Sequence, residues 1–472
     1  MSAVRRSRRP FDAVMAPEHG TRPTAGRANR NVVLRLRRRG AYAQDERSST
    51  DASRDLDTRA TGGDERWVLE PDVARTRILE ALEGMAPLPP ERVGLAEALG
   101  RALAEAVLAP RALPPFDSSE MDGYALRAAD ARAGGARLPV AFEVYAGSPQ
   151  PPPLPPGACC RIFTGAPVPS GADAVEMQEE VSRQGAVARF RRAAEPGRFV
   201  RAAGSDVAQG AVALPAGTVV DAGAVGLAAA LGRTELAVHR RPRVGLLATG
   251  DELVAVDRPP APGQIPDSNS HALAAACREV GAVPVLLPFA RDERASLRRA
   301  LAAARGFDAL VSTGGVSVGE KDLVKEALRA AGARLDFWRV AMKPGRPIAF
   351  GRWGRTAVFG LPGNPASALV TFELFVRPAL RRMAGLAGSG RLEVPARLAE
   401  PASKPAGLTH FLRARATSRA GVLWVEPLRS QASGDLTSVT GFQALAVLPP
   451  DATRLRRGAT VQAILLAPPR HL

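Results

Sequence analysis

Residues 310–322 read LVSTGGVSVGEKD, and the organisation of the chain follows from this stretch. Ala309, Leu310, Val311 and Ser312 predict a short buried strand that Thr313-Gly314-Gly315 breaks abruptly. Two glycines at a strand end let the backbone approach a ligand and leave N–H groups facing a concavity. Ser317 adds a hydroxyl, and Glu320 and Asp322 add carboxylates just before a helix expected from about Leu323. Ligands of open α/β sheets sit outside the carboxyl ends of strands, so the segment predicts an anion site with a metal beside it.

A lone Gly-Gly loop is most often only a turn, but here the design recurs twice. Residues 243–248 (RVGLLA) predict a strand ending in Thr249-Gly250-Asp251-Glu252. Residues 356–360 (TAVFG) predict another, ending in Leu361-Pro362-Gly363-Asn364-Pro365 and followed by an apolar helix to about Met383. Asn364 or Pro365 starts that helix, whose first free N–H groups favour an anion. Between these strands, Lys343-Pro344-Gly345-Arg346-Pro347 sets two cations on a stiff, proline-bounded turn. Together they predict a phosphate- or oxyanion-binding crevice.

At 472 residues the chain is too long for one core, and two to four domains are expected. Apolar residues make up 46% and no run approaches a membrane span, so a soluble protein without membrane contact is expected. The formal charge of +17 invites a nucleic-acid reading, yet aromatics are only 5% and the cations are dispersed arginines, so nucleic acid is not the expected partner. Lysine occurs only at positions 321, 325, 343 and 404, the bias of a GC-rich gene. Cys159, Cys160 and Cys277 have no metal spacing, and the chain reads as reduced and cytoplasmic. His239, His271 and His410 lack ligand spacing and receive no role.

Residues 1–66 stand apart. The first 40 contain eleven arginines against Asp12 and Glu18, and the next stretch is acidic and polar. No apolar segment follows the early arginines, which argues against a secretory signal. A transit peptide, an arm that touches nucleic acid and a translation start set too far upstream all remain open; the favoured reading is a disordered Arg-rich arm without a specific role. Folded sequence is expected from Trp67, with helices over 71–84 and 93–109, a small β domain over 138–200 and a β-rich end past Gly388.

Taken in order, MDGYA (121–125), TGAPVP (164–169), TGDEL (249–253), GQIPDSNS (263–270), STGGVSVGEKD (312–322), KPGRP (343–347) and GLPGNPAS (360–367) resemble the molybdopterin molybdotransferases, relatives of the gephyrin E domain. The resemblance spans residues 68–465. It implies conversion of adenylylated molybdopterin and molybdate into molybdenum cofactor, with release of AMP and a requirement for Mg²⁺. It also implies an α/β multidomain architecture. An elongated N-terminal domain (67–108 with 206–241) would carry an inserted β domain (109–205). A doubly wound α/β molybdopterin-binding domain (242–389) and a C-terminal β-barrel-like domain (390–472) would follow. Members of this family are homodimers with a cleft shared between the crevice domain of one subunit and the β domain of the other. Further partners would be the upstream adenylyltransferase and the acceptor molybdoenzymes.

The resemblance assigns roles residue by residue. Asp122 and Thr164 would belong to the chemistry from the inserted domain. Thr249, Gly250, Gly314, Gly315 and Ser317 would hold phosphates, with Pro347 beside them. Glu252 and Asp322 would be the acidic pair for Mg²⁺, a hard ion that favours carboxylate and phosphate oxygens. Lys343 and Arg346 would form the molybdate pocket, with Arg413 and Ser433 contributed from the C-terminal domain. Arg346 stands where lysine is usual, Glu120 where a small residue is usual and Ser205 where glutamate is common; the 431–435 segment departs most. The alternatives are the adenylyltransferase of the preceding step, which resembles the crevice domain alone, and a gephyrin-like scaffold without catalysis.

Overall fold

The computed structural model describes residues 68–315, 323–388 and 390–471. Ser317, Glu320, Asp322 and the first 66 residues lie outside them. At the centre is a seven-stranded mixed sheet in the order Val68–Leu69, Arg334–Val340, Pro347–Trp353, Thr356–Leu361, Ala309–Thr313, Arg243–Ala248 and Val283–Leu286. Thr356–Leu361, Ala309–Thr313, Arg243–Ala248 and Val283–Leu286 run parallel, which brings Thr313, Ala248 and Leu361 to one end. These strands are apolar along their length because both faces are covered, as a doubly wound sheet requires. Helices Arg294–Ala303 and Leu323–Ala330 bury Leu297, Leu301, Val324 and Leu328 against one face. On the other, Ser268–Glu279 and the segment 365–383 bury Leu273, Val370, Phe372 and Phe375.

The long apolar helix expected to about Met383 is interrupted. It runs as α-helix over Pro365–Thr371, as a π-helical turn over Phe372–Val376 and again as α-helix over Arg377–Met383. Glu373 in that turn is buried and accepts from Arg377 Nε at 2.6 Å and Arg391 Nε at 2.8 Å. The turn thereby pins the start of the C-terminal segment to the sheet. Val68–Leu69 and helix Pro71–Ala81, which the sequence reading set with the elongated domain, join this same sheet and core through Ala74, Ile78 and Leu82.

The helix expected over 93–109 does not form. Strand Pro90–Gly94, a single turn Leu95–Ala98 and strand Val107–Leu108 occupy that stretch. Gly94 and Gly100 bracket the turn, and Gly100 has φ +76°, which ends a helix. The Arg101 guanidinium is buried, contacts Glu91 and donates to the His239 carbonyl at 2.8 Å. These pieces pair with Glu235–His239 and Val212–Leu214 and pack with helix Ala222–Ala230 around Leu103, Val220 and Leu231.

A separate six-stranded sheet carries the order Ala174–Met177, Gly123–Leu126, Cys159–Ile162, Arg137–Val144, Val187–Phe190, Val181–Gln184. At the other end of the chain, Thr409–Arg419, Val422–Pro427, Leu392–Leu398, Thr460–Leu465 and Ala444–Leu448 close into a five-stranded barrel, because Thr409–Arg419 pairs with Ala444–Leu448 as well as with Val422–Pro427. Phe411, Leu445 and Ile464 of the barrel belong to the same core as Phe372 and Phe375 of the α/β unit. Among the described residues no helix is long and apolar enough to cross a membrane.

Candidate active site

The three glycine-rich strand ends meet. Thr249 N–H donates to the Thr313 carbonyl at 3.0 Å, and Gly314 N–H donates to the Leu361 carbonyl at 3.3 Å. Gly314 and Gly315 have φ +82° and +63°. A Cβ on Gly314 would lie 2.4 Å from the Thr249 carbonyl oxygen, and one on Gly315 would lie 2.2 Å from Val324 Cγ2. Both positions therefore admit glycine alone, and the reason is backbone approach as well as handedness.

Above these ends opens a crevice of about 800 Å³. Thr249, Glu252, Thr313, Gly314, Gly315 and Pro347 line it together with Asp267, Asn269 and Asn364. Two helix starts face it. Asp267 caps helix Ser268–Glu279 by accepting from Ser270 N–H at 3.0 Å, and Asn364 precedes Pro365 at the start of the other. Asn269 Nδ2 donates to the Gly363 carbonyl at 2.6 Å and so ties the two starts together. Asp267 and Asn269 carried no role in the sequence reading, which had Asn364 only as a possible helix start. The signal for them was present in the run Asp-Ser-Asn-Ser, a capping pattern, and in Asn364-Pro365.

Glu252 folds its carboxylate back over Gly250, where a Cβ would stand 2.5 Å from Glu252 Oε2. Among the described residues it is the crevice carboxylate not engaged in capping, since the buried Asp267 is spent on its helix. Among the described residues no group of three or more His, Cys, Asp or Glu forms a metal cage. One hard carboxylate in a cleft built for phosphate fits Mg²⁺, which keeps several waters and takes its remaining ligands from phosphate oxygens. Glu252 would hold it, and Asp322, the second expected ligand, lies outside the described residues, as does Ser317.

The cation turn is exposed at both Lys343 and Arg346. Met342–Lys343 pairs in parallel with Thr409–His410, so Lys343 stands beside the buried His410 of the barrel. Burial, then the Lys343 and Lys404 charges, hold the His410 imidazole below its usual pKa. Along the same barrel strand Arg413 is 0% exposed. Its Nη2 donates to the carbonyls of Ser430 (3.3 Å) and Ala432 (3.1 Å), while Nε and Nη1 are buried without a hydrogen-bond partner among the described residues. Burial depresses this guanidinium's pKa, against the opposing pull of Asp435. Such a cation is costly unless an anion completes it. Ser433 Oγ accepts from Asn364 Nδ2 at 2.9 Å, and the Ser433 carbonyl accepts from Ala366 N–H at 3.0 Å, which clasps the barrel to the crevice helix.

Asp122 and Thr164 are brought together on the six-stranded sheet. Asp122 Oδ1 accepts from Thr164 N–H at 2.8 Å and from its hydroxyl at 2.9 Å. These two bonds, with the nearby Arg161 charge, hold the Asp122 carboxyl below its ordinary pKa. Neither residue is among those that line the crevice.

A crevice of glycine-rich strand ends, helix starts and an acidic side chain on a doubly wound sheet, with β domains before and after it in the chain, is that of a multidomain α/β protein suited to an anionic ligand. Residues 69–232 match the MoeA N-terminal region (domain I and II), 245–382 a probable molybdopterin binding domain, and 395–466 the MoeA C-terminal region (domain IV). Molybdopterin molybdenumtransferase 2 of Mycobacterium tuberculosis is 39% identical over 390 residues, covering 80% of this chain and 96% of that protein. Molybdopterin molybdenumtransferase of Bacillus subtilis is 35% identical over 385 residues, covering 80% and 90%. A crystal structure of the molybdopterin biosynthesis MoeA protein from Pyrococcus horikoshii superposes with a TM-score of 0.72 at 31% identity, covering 84% of this chain and 99% of that one. The chain belongs to the molybdopterin molybdenumtransferase family.

Proposed function

We propose that this protein is a transferase of molybdenum cofactor biosynthesis that inserts molybdate into adenylylated molybdopterin, giving molybdenum cofactor and AMP. The crevice at the joined ends of Arg243–Ala248, Ala309–Thr313 and Thr356–Leu361 carries the reading. Thr249, Gly250, Gly314 and Gly315 present donors to the phosphates there, and the starts of the two helices add theirs. Lys343, Arg346 and the buried, half-satisfied Arg413 supply the positive charge that a tetrahedral dianion demands, with Ser433 at the clasp. A molybdate oxygen placed in line with the phosphoanhydride leaves the protein mainly to position and to stabilise charge. Mg²⁺ held by Glu252 and Asp322 would polarise the phosphate oxygens.

In this reading the functional domains are 67–108 with 206–241, 109–205, 242–389 and 390–472, with Val68–Leu69 and helix Pro71–Ala81 lent to the α/β unit whose sheet and core they join. Asp122 and Thr164 act on the crevice of a second copy, so the working unit is a homodimer; that the pair sits at a sheet separate from the one carrying the crevice supports this. Cys159, Cys160 and Cys277 are buried free thiols, which suits a reducing, cytoplasmic setting. The reaction needs an adenylyltransferase to supply the substrate and molybdoenzymes to accept the product. Purified protein supplied with adenylylated molybdopterin, molybdate and Mg²⁺ should release AMP and form cofactor. Asp322→Ala should abolish this and leave the melting temperature unchanged. Absence of AMP release by the wild-type protein would overturn the proposal.

A further inference from the structure

Beside the Thr164 loop stands a run of stacked groups of which only Arg161, through its charge on Asp122, bears on the chemistry above. The Arg161 guanidinium reaches two rings, with its carbon 5.0 Å from the centre of Tyr124 and 4.8 Å from that of Phe163. Phe163 stacks on Tyr145, with centroids 4.6 Å and planes 11° apart. The run ends in Tyr145, which is 52% exposed.

An exposed tyrosine is ordinarily free to swing, and this one is held. Its hydroxyl donates to Glu143 Oε2 at 2.8 Å, and Arg183 Nη1 grips the same carboxylate at 3.0 Å. Its own N–H donates to Ser148 Oγ at 3.1 Å, and Ser148 N–H returns to the Tyr145 carbonyl at 3.0 Å. The turn that carries it touches the Asp122–Thr164 pair's loop, since a Cβ on Gly165 would lie 3.8 Å from Ala146 Cβ. Arg161 closes the other side by donating from Nη1 to the carbonyl of Gly123, next to Asp122, at 3.1 Å.

A flat ring fixed in advance loses little freedom when another flat ring settles on it. We propose that Tyr145, backed by Phe163 and Arg161, is a stacking platform for a planar nitrogen heterocycle of the substrate, adjacent to Asp122 and Thr164. The inference builds on the reading that this pair takes part in the reaction. Adenine and pterin share the required chemistry, and binding measurements separate them.

Full-length wild-type protein, Tyr145→Ala and Tyr145→Phe are titrated with AMP and, separately, with adenylylated molybdopterin. Tyr145→Ala should weaken ring binding roughly tenfold, the scale of base-on-aromatic stacking. Tyr145→Phe keeps the ring and its stack on Phe163 but loses the hydroxyl anchor to Glu143, so its affinity should fall between wild type and Tyr145→Ala, and the molybdate concentration for half-maximal turnover should not move in either variant. Loss with both ligands assigns the adenine ring; loss with the adenylylated pterin alone assigns the pterin. Wild-type affinity of Tyr145→Ala for both ligands, in protein that forms cofactor, overturns the platform and leaves the proposed function standing. Wild-type protein that binds neither ligand overturns both.

Discussion

A single carboxylate oxygen of Asp122 receives both donors of Thr164, the N–H at 2.8 Å and the hydroxyl at 2.9 Å, across 42 residues of sequence. The bonds favour the charged form, so Asp122 stays ionised below the usual carboxylate range. Its contribution to stability is present above the ordinary pKa and is lost as pH falls through the lowered one. Thr164→Val removes one donor. Its acid limb of activity should move to higher pH, and the carboxyl carbon resonance of Asp122 should titrate earlier on acidification from neutral, that is, at a higher midpoint. An unshifted midpoint would show that the N–H alone sets the charge.

Subunit mixing tests the shared cleft. Asp122→Ala and Lys343→Ala should each be inactive or nearly so alone. Hybrid dimers made by exchange hold one intact site, and activity should return to about a quarter of the wild-type level from statistical pairing of subunits. Confirmed exchange without recovered activity would mean that each chain builds its site alone.

Lys343 and Arg346 share a turn bounded by Pro344 and Pro347 and are both exposed. Lys343→Ala should raise the molybdate requirement about tenfold or more, with partial rescue by excess molybdate. Arg346→Lys should be mild, because the charge persists although the forked geometry does not. Titration of turnover against molybdate reads both, and an unchanged requirement in Lys343→Ala would move this pair to the phosphates.

Arg413 offers a test without turnover. If molybdate completes its buried Nε and Nη1, the ion should raise the melting temperature of the wild-type protein, corresponding to about 2.7 kcal/mol at a hundredfold excess over its dissociation constant. Arg413→Met keeps the volume and removes the charge, and its melting curve should not respond. An equal shift in both proteins would place the ion elsewhere.

Glu373 is expected to matter for stability alone. Burial pushes its pKa up, but the hydrogen-bonded guanidiniums of Arg377 and Arg391 outweigh that and leave it lowered. The stabilisation is therefore complete above the ordinary glutamate pKa and disappears as pH falls through the lowered value. Glu373→Gln takes their shared buried carboxylate charge from the buried Arg377 and the partly exposed Arg391, and should cost about 3–5 kcal/mol at neutral pH, measured by urea unfolding. The cost should shrink on acidification.

What was legible in sequence was what is local. The strand at Ala309–Thr313 and its two glycines could be read because apolar run, turn and helix start follow one another directly. The five-stranded closure of the C-terminal unit was legible only as alternating short strands, since the pairing of Thr409–Arg419 with Ala444–Leu448 is long-range. The helix expected over 93–109 failed because apolar spacing outweighed Gly94 and Gly100 in the reading, whereas in the chain those glycines prevailed. Arg413 was one arginine among many; nothing in its neighbours announces complete burial. The Asp122–Thr164 bond depends on strand pairing between Gly123–Leu126 and Cys159–Ile162, which spacing cannot supply, so only the order of motifs pointed to it.

Phe411, Leu445 and Ile464 place the barrel inside the hydrophobic core of the α/β unit. The barrel is thus not a detachable appendage. A gene that lost residues beyond 389 would expose the apolar flank around Phe372 and Phe375 and would unclasp Asn364 from Ser433 in the same event. Present-day shortening would need that flank to be rewritten before the deletion could be tolerated.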